Sequence, residues 1–223
     1  GLIDIQETPV GNLPPFVKIE SPRTGAVFPA ESDISISVKA LDDDGSIAAI
    51  KLFRDGVVIA QNTNVSTLEY NWNNVAAGSY ELYARTWDNL NDSSTTPVVV
   101  IHSDASLIEP WLSNDVGTVK KVGTVSYATD TFTLTGSGWD INDTEDGFRY
   151  VYQEVSGDCE IVARVIDVQN TSSGYPYNWA KAGVMIRENL DADAAHGCMY
   201  LTTFERESAQ KRVRVSQGAT SIS

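Results

Sequence analysis

Acidic side chains are the commonest groups in this sequence that could do chemistry. They gather at Asp42-Asp43-Asp44-Gly45, at Asp140-x-Asn142-Asp143-x-Glu145-Asp146, and at Glu188, Asp191 and Asp193. Carboxylates so grouped have two common uses. A pair facing one glycosidic bond can serve as acid and as base or nucleophile. A set of oxygens converging on one point can hold calcium, which takes about six to eight of them. Asp140, Asn142, Asp143, Glu145 and Asp146 are the richer oxygen set and the candidate ligands of a structural calcium, the one cofactor in view. Asp42–Gly45 reads as a solvated turn. The acids of the other two groups fall in predicted loops, so no pair is fixed on one face and no catalytic residue is assigned. No Gly-x-Ser-x-Gly, His-Glu-x-x-His or phosphate-loop string occurs. The two histidines, His102 and His196, read as surface or structural groups.

Aromatic rings offer a different chemistry. A ring stacked on the apolar face of a pyranose, with polar side chains fixing the hydroxyls, binds sugar without reacting with it. The stretch Ser172-Ser173-Gly174-Tyr175-Pro176-Tyr177-Asn178 presents Tyr175 and Tyr177 in a Gly/Pro setting that keeps rings at the surface, with Asn178 as a polar neighbour. Trp139 follows a glycine run and precedes the acid loop, which favours exposure. These four are the candidate ligand-binding residues; the competing reading of the tyrosine loop is a crossover packed on its own sheet. Trp72 and Trp87 read as core and rim, and Trp111 as packing where the second half begins. Cys159 and Cys198, the two cysteines, allow a disulfide or two buried free thiols. A bridge needs Cα atoms within about 7 Å.

The elements that must position these residues are short and extended. Phe16–Glu20, Asp33–Ala40, Ile47–Phe53, Val57–Ala60, Leu68–Trp72, Ser79–Trp87 and Pro97–His102 are predicted strands. Asp33–Ala40 alternates cleanly, with Ile34, Ile36 and Val38 on one face and Ser35, Ser37 and Lys39 on the other. Asp55-Gly56 marks a two-residue hairpin. About seven such strands read as an immunoglobulin-type Greek-key sandwich. Ser103–Ile108 is the predicted boundary. Beyond it, Gly123–Tyr127, Thr131–Thr135, Phe148–Glu154, Glu160–Val168, Ala182–Arg187, Met199–Phe204 and Arg212–Ser216 suggest a jelly roll. No segment holds a helical period, so the class is all-β.

With 223 residues, the chain is long enough for two domains. Its 42% hydrophobic and 21% charged residues suit a protein with a buried core. The net charge of −14 divides into 14 acidic against 6 basic residues up to Ala105 and 16 against 10 beyond. A surface this acidic repels nucleic acid and anionic membrane, so nucleic acid is excluded as a partner. No apolar run reaches the roughly 20 residues of a membrane span. Gly1 is not an initiator, so the chain reads as a fragment or a mature product. The triplets at Asn64, Asn91, Asn142 and Asn170 serve as loop markers.

Several phrases resemble known families. Residues 14–103 resemble bacterial Ig-like modules, carried by Pro22-Arg23-Thr24-Gly25, Ala40-Leu41-Asp42-Asp43-Asp44-Gly45-Ser46-Ile47, Asn71-Trp72-Asn73-Asn74-Val75 with Gly78-Ser79-Tyr80, and Ala84-Arg85-Thr86-Trp87-Asp88-Asn89. Residues 107–223 resemble a concanavalin A-like sandwich used as an accessory module in carbohydrate-active proteins. The phrases are Gly136-Ser137-Gly138 with Asp140-Ile141, Phe148-Arg149-Tyr150-Val151-Tyr152-Gln153, Glu160-Ile161-Val162-Ala163-Arg164-Val165, and above all Trp179-Ala180-Lys181-Ala182-Gly183-Val184-Met185-Ile186-Arg187-Glu188. Asp140 and Asp146 fall on positions that family also fills. Trp139 and Cys159 depart from it. The resemblance implies a core position for Trp179 and a sandwich continuing past Ser223. Hydrolases of that fold carry Glu-x-Asp-x-x-Glu on one strand, and no such string occurs here.

The reading that results has residues 1–13 as a linker before an Ig-like spacer and a concanavalin A-like domain. It is a non-catalytic, carbohydrate-binding region of a secreted or cell-surface bacterial protein. Its implied partners are a polysaccharide or glycan and a neighbouring catalytic domain. One alternative is a structural or adhesive stalk; another is a glycoside hydrolase or polysaccharide lyase with an unrecognised site.

Overall fold

The computed structural model describes residues 11–169, 179–203 and 208–222. All regular structure among them is β, with no helix. The chain divides into two compact units. The first holds residues up to Asn114 together with Ser126–Thr131; the second holds Asp115–Val125 and Phe132 onward. The division thus falls later than the predicted Ser103–Ile108 boundary. Local packing explains the delay: Leu107 and Asn114 are buried, and Ser113 pairs with Val27.

In the first unit, β1 (Phe16–Ser21), β3 (Ile34–Leu41) and β6 (Thr67–Trp72) make one antiparallel sheet. A second sheet runs β9 (Val99–Asp104), β7 (Gly78–Asp88), β4 (Ile47–Arg54), β5 (Val57–Thr63), with β2 (Val27–Pro29) parallel to β9 and β8 (Ser93–Thr95) on β7. Alternation sends Ile34, Ile36, Val38 and Ala40 of β3 inward against Ile50, Leu52, Leu82, Ala84 and Ile101. These side chains are close to fully buried. The Asp55-Gly56 turn has both residues at positive φ, 49° and 81°, and joins Arg54 to Val57 as a two-residue hairpin. Trp72 packs on this core from the rim.

Within the second unit the described residues show, of the expected jelly roll, one three-stranded antiparallel sheet and shorter pieces. The sheet is β16 (Lys181–Arg187), β17 (His196–Thr202) and β18 (Ser208–Arg214), in that order. Smaller elements are β10 (Leu112–Val116), β11 (Thr124–Ala128) and β12 (Thr131–Thr135), all three across the division, with β13 (Ile141–Asn142), β14 (Glu145–Asp146) and β15 (Phe148–Tyr152). Gly183 is required where β17 passes, since a Cβ there would overlap the backbone of Met199 and Tyr200. The predicted strand Glu160–Val168 does not form. Val162 and Ile166 are 83% and 67% exposed, because alternation marks a face but a strand also needs a neighbour for its backbone hydrogen bonds. No disulfide joins the cysteines either. Cys159 is exposed in that irregular stretch and Cys198 is buried in β17, each as a free thiol.

Candidate functional site

One side of the β16–β17–β18 sheet changes character along its length. Registers Arg187↔His196↔Arg214, Met185↔Cys198↔Arg212 and Lys181↔Thr202 put these residues in successive rows. At the first row the charges are locked away. Arg214 is fully buried and donates to both oxygens of Asp146 at 2.8 Å. The same guanidinium reaches the carbonyls of Asp143, Ala192, Ala194 and Ala219. Arg187 adds a longer contact to Asp146, 3.5 Å, while its Nε donates to the Asn189 carbonyl. His196 Nδ1 lies 3.4 Å from Asp146, and its Nε2 is buried without a hydrogen-bond partner among the described residues. Burial lowers the His196 pKa from its ordinary value, outweighing the Asp146 carboxylate. Burial likewise pushes the Cys198 thiol up, keeping it protonated and inert.

Past the second row the sheet carries the buried Tyr200 ring, and exposure begins only at Trp179, ahead of the strand. Tyr200 accepts from Arg212 Nε at 2.9 Å and donates to Gln210 at 3.0 Å. Arg212 also holds the Asn142 side chain. Lys181 Nζ pairs with Asp140 at 2.7 Å and stands 5.5 Å from the Trp179 ring and 5.8 Å from the Tyr200 ring. Trp179 is 47% exposed, although the sequence resemblance implies a core position. The reason is local: Trp179 stands two residues ahead of Lys181, before the strand begins, and its ring covers that ammonium group instead of entering the core. Trp139, next to Asp140, is 83% exposed, with Lys120 Nζ 5.7 Å from its ring. Behind it, Gly138 and Gly147 approach so closely that a Cβ on Gly138 would overlap the Gly147 backbone. That contact, with the Gly147 N–H on the Asp140 carbonyl at 2.8 Å, folds the acid loop into the β13–β14 hairpin.

The candidate calcium ligands therefore do not converge. Asp146 is clamped by arginine, Asp140 by Lys181, and Asn142 by Arg212. Asp143 turns the hairpin at φ 48°, and Glu145 is exposed. Among the described residues no three of His, Cys, Asp and Glu are arranged to hold a metal ion. Of the ligand-binding candidates, Trp139 is placed at the surface, whereas Tyr175, Tyr177 and Asn178 lie outside the described residues. Sequence reasoning missed Lys181 and Tyr200, whose relation to Asp140 needs two strands in register; the only signal was the Trp-Ala-Lys spacing.

Residues 15–84 match the family model of the bacterial Ig domain. The first unit is Ig-like. No curated protein matches the chain. Among solved structures, the fibronectin(III)-like modules of Clostridium thermocellum CbhA are 27% identical over 40% of this chain and 97% of theirs, with a TM-score of 0.36. An engineered protein is 15% identical over 40% of this chain and 20% of its own, at 0.30. The Ig assignment therefore stands on the family match. Bacterial Ig-like modules are generally non-catalytic and typical of surface or extracellular proteins. No helix among the described residues is long and apolar enough to cross a membrane.

Proposed function

We propose that the chain is a non-catalytic, carbohydrate-binding part of a secreted bacterial polysaccharide-handling protein, with the Ig-like unit as a spacer and the second unit as a concanavalin A-like accessory module. One observation carries the reading: two tryptophans, 83% and 47% exposed, stand beside a paired acid and base in the chain, Trp139 next to Asp140 and Trp179 two residues before Lys181, the Asp140 partner at 2.7 Å. Indole rings supply apolar area for a sugar face, and the paired charges supply fixed donors and acceptors for hydroxyls. Asp146 is not available as a general base at the buried end, since both its oxygens accept from Arg214. Affinity electrophoresis through neutral polysaccharides tests the proposal. The wild type should be retarded in at least one, and Trp139→Ala with Trp179→Ala should abolish the retardation. Equal migration of the two proteins in every gel overturns it.

A second reading, a stalk that packs on a neighbouring domain, is favoured by the other side of the same sheet. There Ile186 and Met199 are 45% and 57% exposed beside Val184 and Ile161, around an open groove of about 230 Å³. Exposed apolar area of this kind commonly marks a packing surface. Ile186→Lys with Met199→Lys leaves glycan retention unchanged under the first reading.

A further inference from the structure

The outer face of the Ig-like unit carries an arrangement that folding alone does not favour. Strands β4 and β7 pair Phe53 with Tyr83, Lys51 with Arg85 and Ala49 with Trp87. Their neighbours Ile50, Leu52, Ala84 and Thr86 are buried, so alternation turns this set outward. Lys51 and Arg85 are therefore like charges directly opposed across two strands, which destabilises a sheet. Neither forms an ion pair among the described residues, although acidic side chains outnumber basic ones 14 to 6 up to Ala105. Both cations are instead held against one indole: Lys51 Nζ lies 5.4 Å and Arg85 Cζ 4.9 Å from the Trp87 ring. Arg85 is further fixed by donating to Ser93 Oγ at 2.9 Å. In the next row the Phe53 and Tyr83 rings stack at 4.6 Å, 7° from parallel.

We infer that this face binds an acidic polysaccharide, with a sugar carboxylate received between Lys51 and Arg85. An anion there removes the like-charge repulsion and satisfies two oriented donors. The adjoining aromatic rows give the C–H faces of neighbouring sugars a surface to pack on. The cations lie on a sheet face and not along a strand edge, where an extended acidic peptide would add by backbone pairing. Because the chain as a whole is strongly acidic, general electrostatics oppose the binding, and retention would report this face.

The test is affinity electrophoresis of the full chain in polygalacturonate. Wild type should be retarded, and Lys51→Gln with Arg85→Gln should weaken the apparent affinity at least tenfold. The charge-preserving Arg85→Lys and the second-unit pair Trp139→Ala, Trp179→Ala should both bind like wild type. The inference is overturned if wild type runs unretarded, if the double glutamine variant matches it, or if Arg85→Lys loses binding as fully as the charge removal does. Equal retardation by polyglutamate also overturns it, because the face would then read charge alone. Loss of binding in the tryptophan pair would move the polyuronate site to the second unit and sink the assignment to β4 and β7.

Discussion

The two units hold themselves together by different physics. In the Ig-like unit the inner faces of two sheets meet through aliphatic side chains such as Ile36, Leu52, Leu82 and Ile101, all fully buried. In the second unit the buried apolar cluster around Met185, Cys198 and Tyr200 is small, and Ile141, Phe148 and Tyr150 pack on it from partly exposed positions. Next to it lies a buried set of charges, Asp146 with Arg187, Arg214 and His196. Aliphatic burial is spread over many contacts, so each side chain contributes a share. A buried ion cluster is concentrated: remove one partner and the other is left charged and dry. Losses in the first unit should therefore be spread over many buried positions, and in the second concentrated at a few charged residues.

The sharpest way to break that contrast is Arg214→Met. It strands the Asp146 carboxylate and should cost about 3–5 kcal/mol. Hydrogen exchange would show the loss in β16–β18 while amides of β3, β4 and β7 keep their protection; uniform loss would contradict the contrast. Leu82→Ala is the counterpart in the first unit. It should cost about 2–5 kcal/mol by transfer and cavity terms, read as a lower denaturation midpoint with β16–β18 still protected.

A smaller effect is expected from pH. The His196 pKa is lowered by burial, so the unfolded chain takes up its proton more readily than the folded one. Stability from this group is complete above the unfolded value near about 6.5 and is lost as pH falls through the folded one. Denaturation midpoints followed at β17 should drop across that range in the wild type and be flatter in His196→Gln. A wild-type curve no steeper than the variant's would show that the imidazole is not held neutral. The smallest effect on stability belongs to Lys181→Met, which removes a partly exposed pair with Asp140. Its cost should stay within about 1 kcal/mol, while glycan retention falls together with that of Trp179→Ala.

How far these features could be read in advance differs between the units. Ile34, Ile36 and Val38 alternate so regularly that both the strand and its buried face follow from local order, and Asp55-Gly56 fixes the hairpin register by its own backbone preference. At Glu160–Val168 the residues Ile161, Ala163 and Val165 share one apolar face, yet no strand forms, because extended pairing is completed by a partner elsewhere in the chain. The candidate site shows the same division. Trp139 was legible from the glycines and acids around it. Asp140 read as a metal ligand because its acidic neighbours are visible in sequence, whereas the cations that occupy those acids come from strands about 40 to 70 residues away.

What the sequence by itself determined is the β class, the inward face of the Ig-like strands, the hairpin turn and the acidic surface, since each depends on neighbouring residues and their period. Tertiary structure alone decided that Asp146 is clamped by Arg214, that Trp179 stays half in solvent, and that Lys51 faces Arg85 across two strands. Those outcomes depend on register and through-space charge, which join residues that local order never brings together.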